Sequence, residues 1–395
     1  MRCRLACFVQ WLSVNLLLSS LLGALAVGQD LATPLHQTSQ AIPITSPRRE
    51  LSAERKQVQS ETLNRRFTAD VEVPGNTWHL LATLPGAVIH DIAFPTAKIG
   101  YAAAELGQVW KTTDGGNHWT EVLSASQSDY FYGVDALSTE DVIISGFYDS
   151  TQTYGVYRWS HDGGKTWTDD LSFGPAWMQR VRYANSKDGI IMEFPGSNSV
   201  TESEYTVDGG GQLSNWTSSV ANPSGGWFDF QFSLLGNLHA RSSGINYCTS
   251  LNGGEKWACG NSVDSVFDGP VFFLNDKYGW VGGGEISPNV EGWLHLTTDG
   301  GKSWSGRTLD GPWPIRSILF LTDKTGWATG GNVYSNVGGM YFTSDGGNTW
   351  TVDATTNSEM GACAQHAIAG GHHQIWCAGF NSSNGFESVI YSTTF

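Results

Sequence analysis

The strongest constraint on this chain is a turn that it writes six times. Thr112-Thr113-Asp114-Gly115-Gly116-Asn117-His118-Trp119 returns as Ser160-His161-Asp162-Gly163-Gly164-Lys165-Thr166-Trp167, as Thr297-Thr298-Asp299-Gly300-Gly301-Lys302-Ser303-Trp304 and as Thr343-Ser344-Asp345-Gly346-Gly347-Asn348-Thr349-Trp350. Two looser copies are Thr206-Val207-Asp208-Gly209-Gly210, running on to Trp216, and Ser250-Leu251-Asn252-Gly253-Gly254-Glu255-Lys256-Trp257. The positions Asp114, Asp162, Asp208, Asn252, Asp299 and Asp345 recur with a period of about 46 residues, the mark of an array of one supersecondary unit.

Each copy has the chemistry of a tight turn. Its Asp accepts hydrogen bonds from backbone N–H groups just downstream, and its glycines supply positions of positive φ. The Trp lays its apolar face under the turn, so each copy reads as a self-contained hairpin clip. Strand-like runs flank it, as Gln108-Val109-Trp110-Lys111 and Trp119-Thr120-Glu121-Val122-Leu123 flank the first. These boxes resemble the Asp-box (BNR) repeat of sialidases, xyloglucanases, sortilin-type receptors and photosystem II assembly factors. The resemblance covers residues 76–395 and implies a β-propeller, with the box as a fold element and not the active site.

The pattern around each box repeats in four parts. An apolar strand (His90 to Phe94, Pro270 to Phe273, Arg316 to Phe320) precedes a small-residue strand such as Ile99-Gly100-Tyr101-Ala102-Ala103 or Thr325-Gly326-Trp327-Ala328-Thr329. A third strand enters the box and a fourth leaves it, which makes one four-stranded antiparallel blade. First strands begin near His90, Tyr132, Gln179, Trp227, Asp268, Arg316 and Gln365, giving an all-β, seven-bladed propeller. The seventh blade lacks a complete box. Asn76-Thr77-Trp78-His79-Leu80-Leu81 matches Asn348-Thr349-Trp350-Thr351-Val352, so an N-terminal strand is expected to complete the last blade and close the ring.

Residues 1–28 read as a secretory signal: Arg2 and Arg4, an apolar run from Leu16 to Leu25, then Ala24-Leu25-Ala26. No later run is long and apolar enough for a membrane span. Residues 29–75 are polar, carry the dibasic pairs Arg48-Arg49 and Arg65-Arg66, and read as a disordered linker or pro-segment. A net charge of −15 argues against nucleic acid or an anionic membrane surface as partner. Cys248, Cys259, Cys363 and Cys377 allow three disulfide connectivities; Cys248–Cys259 and Cys363–Cys377 are favoured because each would clip neighbouring strands of one blade. No zinc-like spacing occurs, so neither metal nor cofactor is expected. Asn215-Trp216-Thr217 and Asn381-Ser382-Ser383 are N-glycosylation acceptors in a secreted chain.

A propeller binds ligands at the mouth of its central channel, where the first strands begin. The repeat register nominates His90, Tyr132, Arg180, Trp227, Asp268, Arg316 and His366, a polar and aromatic ring suited to a sugar or a peptide loop. The Arg-Ile-Pro signature of sialidases is absent, and Trp313-Pro314-Ile315-Arg316 has those letters in another order. Another glycoside hydrolase would need two facing carboxylates, for which Asp135, Asp229 and Asp268 are the candidates. Gly279-Trp280 through Trp304 and Gly326-Trp327 through Trp350 look like photosystem II stability/assembly factor propellers. That resemblance implies a basic patch of inner-strand arginines for a membrane-protein partner, and of its positions only Arg180 and Arg316 are arginine here. The expected function is a secreted, monomeric propeller that binds a glycan or an extracellular protein. The alternative is a carbohydrate-active enzyme, which paired free carboxylates at the mouth would favour; carboxylates paired with Arg or Lys would favour binding.

Overall fold

The computed structural model describes residues 77–148, 154–168, 171–172, 176–195, 201–222, 227–233, 238–244, 247–260, 269–285, 291–309, 313–332, 335–381 and 387–395. The expected signal and linker lie outside them. Seven four-stranded antiparallel sheets form the seven blades of a propeller. Blade 1 holds β2 (Ile89–Ala93), β3 (Gly100–Ala104), β4 (Gln108–Thr112) and β5 (Thr120–Ser124). Blade 2 holds β6 (Asp129–Ala136), β7 (Val142–Tyr148), β8 (Tyr154–Ser160) and β9 (Leu171–Ser172). Blade 3 follows as β10 (Ala176–Tyr183), β11 (Gly189–Pro195), β12 (Thr201–Thr206) and β13 (Trp216–Asn222). Blade 4 is β14 (Trp227–Phe232), β15 (Ala240–Gly244), β16 (Cys248–Ser250) and β17 (Ala258–Cys259).

Blade 5 is β18 (Val271–Phe273), β19 (Gly279–Glu285), β20 (Glu291–Thr297) and β21 (Ser305–Thr308). Blade 6 is β22 (Ile315–Phe320), β23 (Gly326–Asn332), β24 (Val337–Thr343) and β25 (Thr351–Thr356). Blade 7 takes β26 (Glu359–Ala367), β27 (His373–Asn381) and β28 (Glu387–Thr394) from the C-terminus and its outer strand, β1 (His79–Pro85), from the N-terminal side. His79 faces Ser392 and Pro85 faces Glu387, so the ring closes as expected. Ser388 clasps the seam: its Oγ accepts the Ile89 N–H at 2.9 Å and donates to the Ala87 carbonyl at 3.0 Å.

Burial explains the sequence pattern. Inner strands are covered on both faces by neighbouring blades, so β3 (Gly-Tyr-Ala-Ala-Ala) and β23 (Gly-Trp-Ala-Thr-Gly-Gly-Asn) are buried at every residue. Outer strands such as β5 and β25 are more exposed and correspondingly polar. Flat rings fill the gaps between blades. Trp280 of β19 stacks on Phe320 of β22 with centroids 3.5 Å apart, and Trp376 of β27 stacks on Phe94 at 3.8 Å.

Five of the six turns share one hydrogen-bond circuit; in the third, the Gly210 N–H turns to Asp208 Oδ1 at 3.5 Å. In the first, Asp114 Oδ1 accepts the His118 N–H at 2.9 Å, and Gly115 and Gly116 have φ of 79° and 97°. Thr112, two residues before the Asp, donates to Asp114 Oδ1 and accepts the Gly116 N–H, each at 2.9 Å. The equivalent hydroxyls of Ser160, Thr206, Ser250, Thr297 and Thr343 are all buried, so this residue is as much part of the turn as its Asp. The turns are less self-contained than the sequence suggests. The first glycine carbonyl accepts a donor from the preceding blade in four of them: Trp376 to Gly115, Lys111 to Gly163, Tyr247 to Gly300 and Trp280 to Gly346.

The favoured disulfides are formed. Cys248–Cys259 joins β16 to β17 and Cys363–Cys377 joins β26 to β27, each between directly opposed residues. No helix among the described residues is long and apolar enough to cross a membrane.

Candidate functional site

Among the described residues, six of the seven inner strands carry the same irregularity near the mouth end. Pairing with the second strand skips one residue at His90, Tyr132, Gln179, Phe228, Arg316 and Gly361. A bulge of this kind bends the strand and re-aims the side chain that follows. Those next residues are Asp91, Gly133, Arg180, Asp229, Ser317 and Ala362. All except Gly133, and with them Val271 at the start of β18, line a cavity of about 220 Å³ in the channel.

The cavity wall is divided. Blades 1 to 4 supply Asp91, Asp135, Arg180, Arg182, Asp229 and Gln231; blades 5 to 7 supply mainly Val271, Phe272, Ile318, Leu319, Ala362 and Cys363. Within the charged half, Arg180 Nη1 lies 2.9 Å from Asp91 and its Nε 3.4 Å from Asp229. Arg182 holds Asp91 with both Nη atoms, at 2.8 and 3.2 Å, and also donates to the Val134 and Val181 carbonyls. Asp91 thus joins blade 1 to blade 3 past Gly133 of blade 2. A Cβ at Gly133 would stand 2.6 Å from Ser145 Oγ and 3.0 Å from Arg180 Cα, so the bare backbone makes room for the bridge.

Burial raises the Asp91 pKa, but Arg182 and Arg180 outweigh it and hold the carboxyl below its ordinary value. Asp229 goes the other way: burial pushes it up and the more distant Arg180 only partly offsets this. Asp135 Oδ2 accepts the Tyr183 N–H at 2.6 Å, and Asp229 Oδ2 accepts the Val271 N–H at 3.3 Å. Arg316 differs from the other two arginines. Its Nε donates to Glu359 at 2.7 Å, and its two Nη atoms have no partner among the described residues.

Of the residues nominated from the repeat register, His90 and Tyr132 meet at the mouth with rings stacked 3.9 Å apart, and His90 Nε2 lies 3.1 Å from Glu105. Arg180 and Arg316 line the cavity with Asp135 and Asp229. Trp227 begins β14, with its side chain outside the described atoms, and Asp268 lies outside the described residues. His366 is not brought to the mouth. It sits five residues beyond the bulge at Gly361, hydrogen-bonded with the Phe94 backbone, and burial lowers its pKa. The register slipped because β26 starts at Glu359 and not near Gln365. Asp91 and Arg182 form the hub of the site, yet nothing in their local sequence separates them from other inner-strand charges.

Asn215 closes the 3-10 turn Leu213–Asn215, with its Nδ2 donating to Asp208 Oδ2 at 2.6 Å in an exposed setting. Asn381 ends β27, is 7% exposed, and donates its Nδ2 to the Asn357 carbonyl at 2.5 Å. No group of three His, Cys, Asp or Glu side chains among the described residues is placed to hold a metal ion.

No protein-family model matches the chain, and no curated relative matches it. Solved structures do share its fold. A structure of YCF48 bound to D1 peptide superposes with a TM-score of 0.57 at 16% identity, covering 82% of this chain and 98% of that one. YCF48 from Cyanidioschyzon merolae gives 0.56 at 16% identity, with 80% and 98% covered. The GH74 xyloglucanase from Xanthomonas campestris gives 0.54 at 14% identity, covering 77% of this chain and 53% of that one. At these identities the likeness is one of fold.

Proposed function

We propose that this is a secreted, non-catalytic propeller whose six turns are Asp-box repeats and whose channel mouth binds a protein segment or glycan. The observation that carries the reading is the engagement of the channel carboxylates. Asp91 is held by two arginines, Asp229 faces Arg180, and Asp135 accepts a backbone N–H. A glycosidase needs one carboxyl free to donate a proton and a second free to attack or to activate water. The acids here are engaged in holding the wall together.

Arg316 is the group best placed to meet a ligand, since it lines the cavity and its guanidinium fork matches a carboxylate in two parallel hydrogen bonds. Beside it the apolar wall of blades 5 to 7 suits an aliphatic or aromatic side chain. A peptide offering both fits better than a neutral sugar, and the YCF48 structure shows a propeller of this fold holding a peptide. His90 and Tyr132 would border the bound segment.

Panning a random peptide library and probing a glycan array with the full chain tests the reading, with Arg316→Ala as comparison. Peptides that bind the parent protein and are lost from Arg316→Ala are the expected result. Release of reducing ends from a polysaccharide, abolished in Asp229→Asn or Asp135→Asn, would instead establish the hydrolase alternative suggested by the xyloglucanase fold.

A further inference from the structure

We propose that Asn215, and not Asn381, carries an N-linked glycan, and that this glycan stands on the face of the ring opposite the ligand mouth. The inference rests on the secretory reading above, because the modification requires passage through a compartment holding the transferase.

The third turn is the odd one of the six. In four others, the residue four places after the Asp caps Asp Oδ2 with its side chain: His118, Thr166, Ser303 and Thr349, at 2.6, 2.6, 2.6 and 2.7 Å. Here the chain runs on from Gly210 through the short 3-10 turn before reaching its Trp. Asn215 comes round to do the same task, donating its Nδ2 to Asp208 Oδ2 at 2.6 Å. An amide nitrogen has two hydrogens, and this contact uses one. Transfer of an oligosaccharide from a lipid-linked pyrophosphate forms an Nδ2–C1 bond as the C1–O bond breaks. The pyrophosphate leaves with the electron pair, and the nitrogen gives up one proton to the transferase. The remaining N–H still caps Asp208. The sugar projects from a turn in which Asn215 is half-buried between exposed Ser214 and, at the start of β13, exposed Thr217 of the acceptor triplet.

Asn381 offers no such opening. Its Nδ2 is committed to the Asn357 carbonyl in a 7% exposed side chain, so a sugar there would separate β27 from the turn before β26. The Asn215 turn lies at the end of blade 3 where Gly209 N–H meets the Lys187 carbonyl, away from the bulges that form the mouth. A glycan there leaves Arg316 and the cavity open.

The test is secretion of the full chain from a eukaryotic host, with a parallel arm in which the host's own signal replaces residues 1–28, followed by peptide mapping with and without an N-glycosidase. The expected result is a single glycan at Asn215 that Thr217→Ala abolishes and Ser383→Ala leaves in place; Thr217→Ala spares the Asn215–Asp208 contact. A glycan on Asn381 in the folded secreted protein, or an unmodified Asn215 in the host-signal arm, overturns the proposal. Glycan at Asn215 in the host-signal arm alone supports the acceptor assignment while sinking the reading of residues 1–28 as a signal.

Discussion

Trp280 Nε1 donates to the Gly346 carbonyl at 2.9 Å across the boundary between blades 5 and 6, while its ring lies flat on Phe320. One side chain thus ties the inner part of one blade to the turn of the next. Trp376 repeats the arrangement between blades 7 and 1, stacking on Phe94 and donating to Gly115. The Asp-Gly-Gly turn folds its own hairpin and also receives its neighbour.

Replacing Trp280 by Phe keeps most of the stack but leaves the buried Gly346 carbonyl without this donor, a loss of about 1–3 kcal/mol. Trp159 is the control, because its buried Nε1 has no acceptor among the described residues. Trp159→Phe is expected to cost less than Trp280→Phe in urea unfolding. Equal or reversed midpoints would show that the latch contributes nothing.

The ring seam gives a second prediction. Ser388→Ala removes both the acceptor for Ile89 N–H and the donor to Ala87 in a fully buried position. Two stranded backbone groups should destabilise the closed ring by about 2 kcal/mol or more. Hydrogen exchange should then quicken first in β1 and β28. Acceleration spread evenly over all blades would mean that the seam is not the weak point.

The scaffold was legible because its signals are local and repeated. Five of the six turns announce themselves in eight residues, and the match between Asn76–Leu81 and Asn348–Val352 exposes the shared blade. The channel wall was harder to read, since it is set by bulges that leave no motif. Arg180 and Arg316 were found because the register held through blades 3 and 6. In blade 7 a start misplaced from Glu359 to Gln365 carried His366 to the wrong end of its strand. The Asp91–Arg182 bridge joins residues 91 positions apart, and only the packing of blades 1 to 3 around the channel brings them together. Even the buried hydroxyl two places before each Asp was in view, but its role depends on a burial that sequence does not display.

Gly133→Ala tests the bridge itself. The added methyl would meet Ser145 Oγ at 2.6 Å and the Val181 nitrogen at 2.9 Å, forcing Arg180 away from Asp91. Overpacking of this kind costs about 1–3 kcal/mol. Gly361→Ala, at the corresponding bulge of blade 7, meets nothing within 4 Å and should be nearly neutral. Similar unfolding midpoints for the two variants would refute the claim that blade 2 is kept bare for Arg180.

The turns also predict a response to acid. Thr166 and Ser303, through hydroxyl and backbone N–H, hold Asp162 and Asp299 down to about 2 from an ordinary 3.8, and the His118 backbone and ring do the same for Asp114. A carboxyl whose folded pKa lies below its unfolded value adds stability that is complete above 3.8 and drains away as pH falls toward 2. Asn252 holds the same place in the fourth turn, accepts the Lys256 N–H at 3.1 Å and does not titrate. Asp162→Asn combined with Asp299→Asn should therefore make the acid limb shallower, since an amide keeps the backbone contact without the proton linkage. Asp229 has the opposite sign: its raised pKa favours the folded state at low pH, and that contribution fades as pH rises through its folded value. Urea midpoints followed from neutral pH down to about 2 separate the two effects. An acid limb as steep in the double variant as in the parent would show that these carboxylates do not govern acid unfolding.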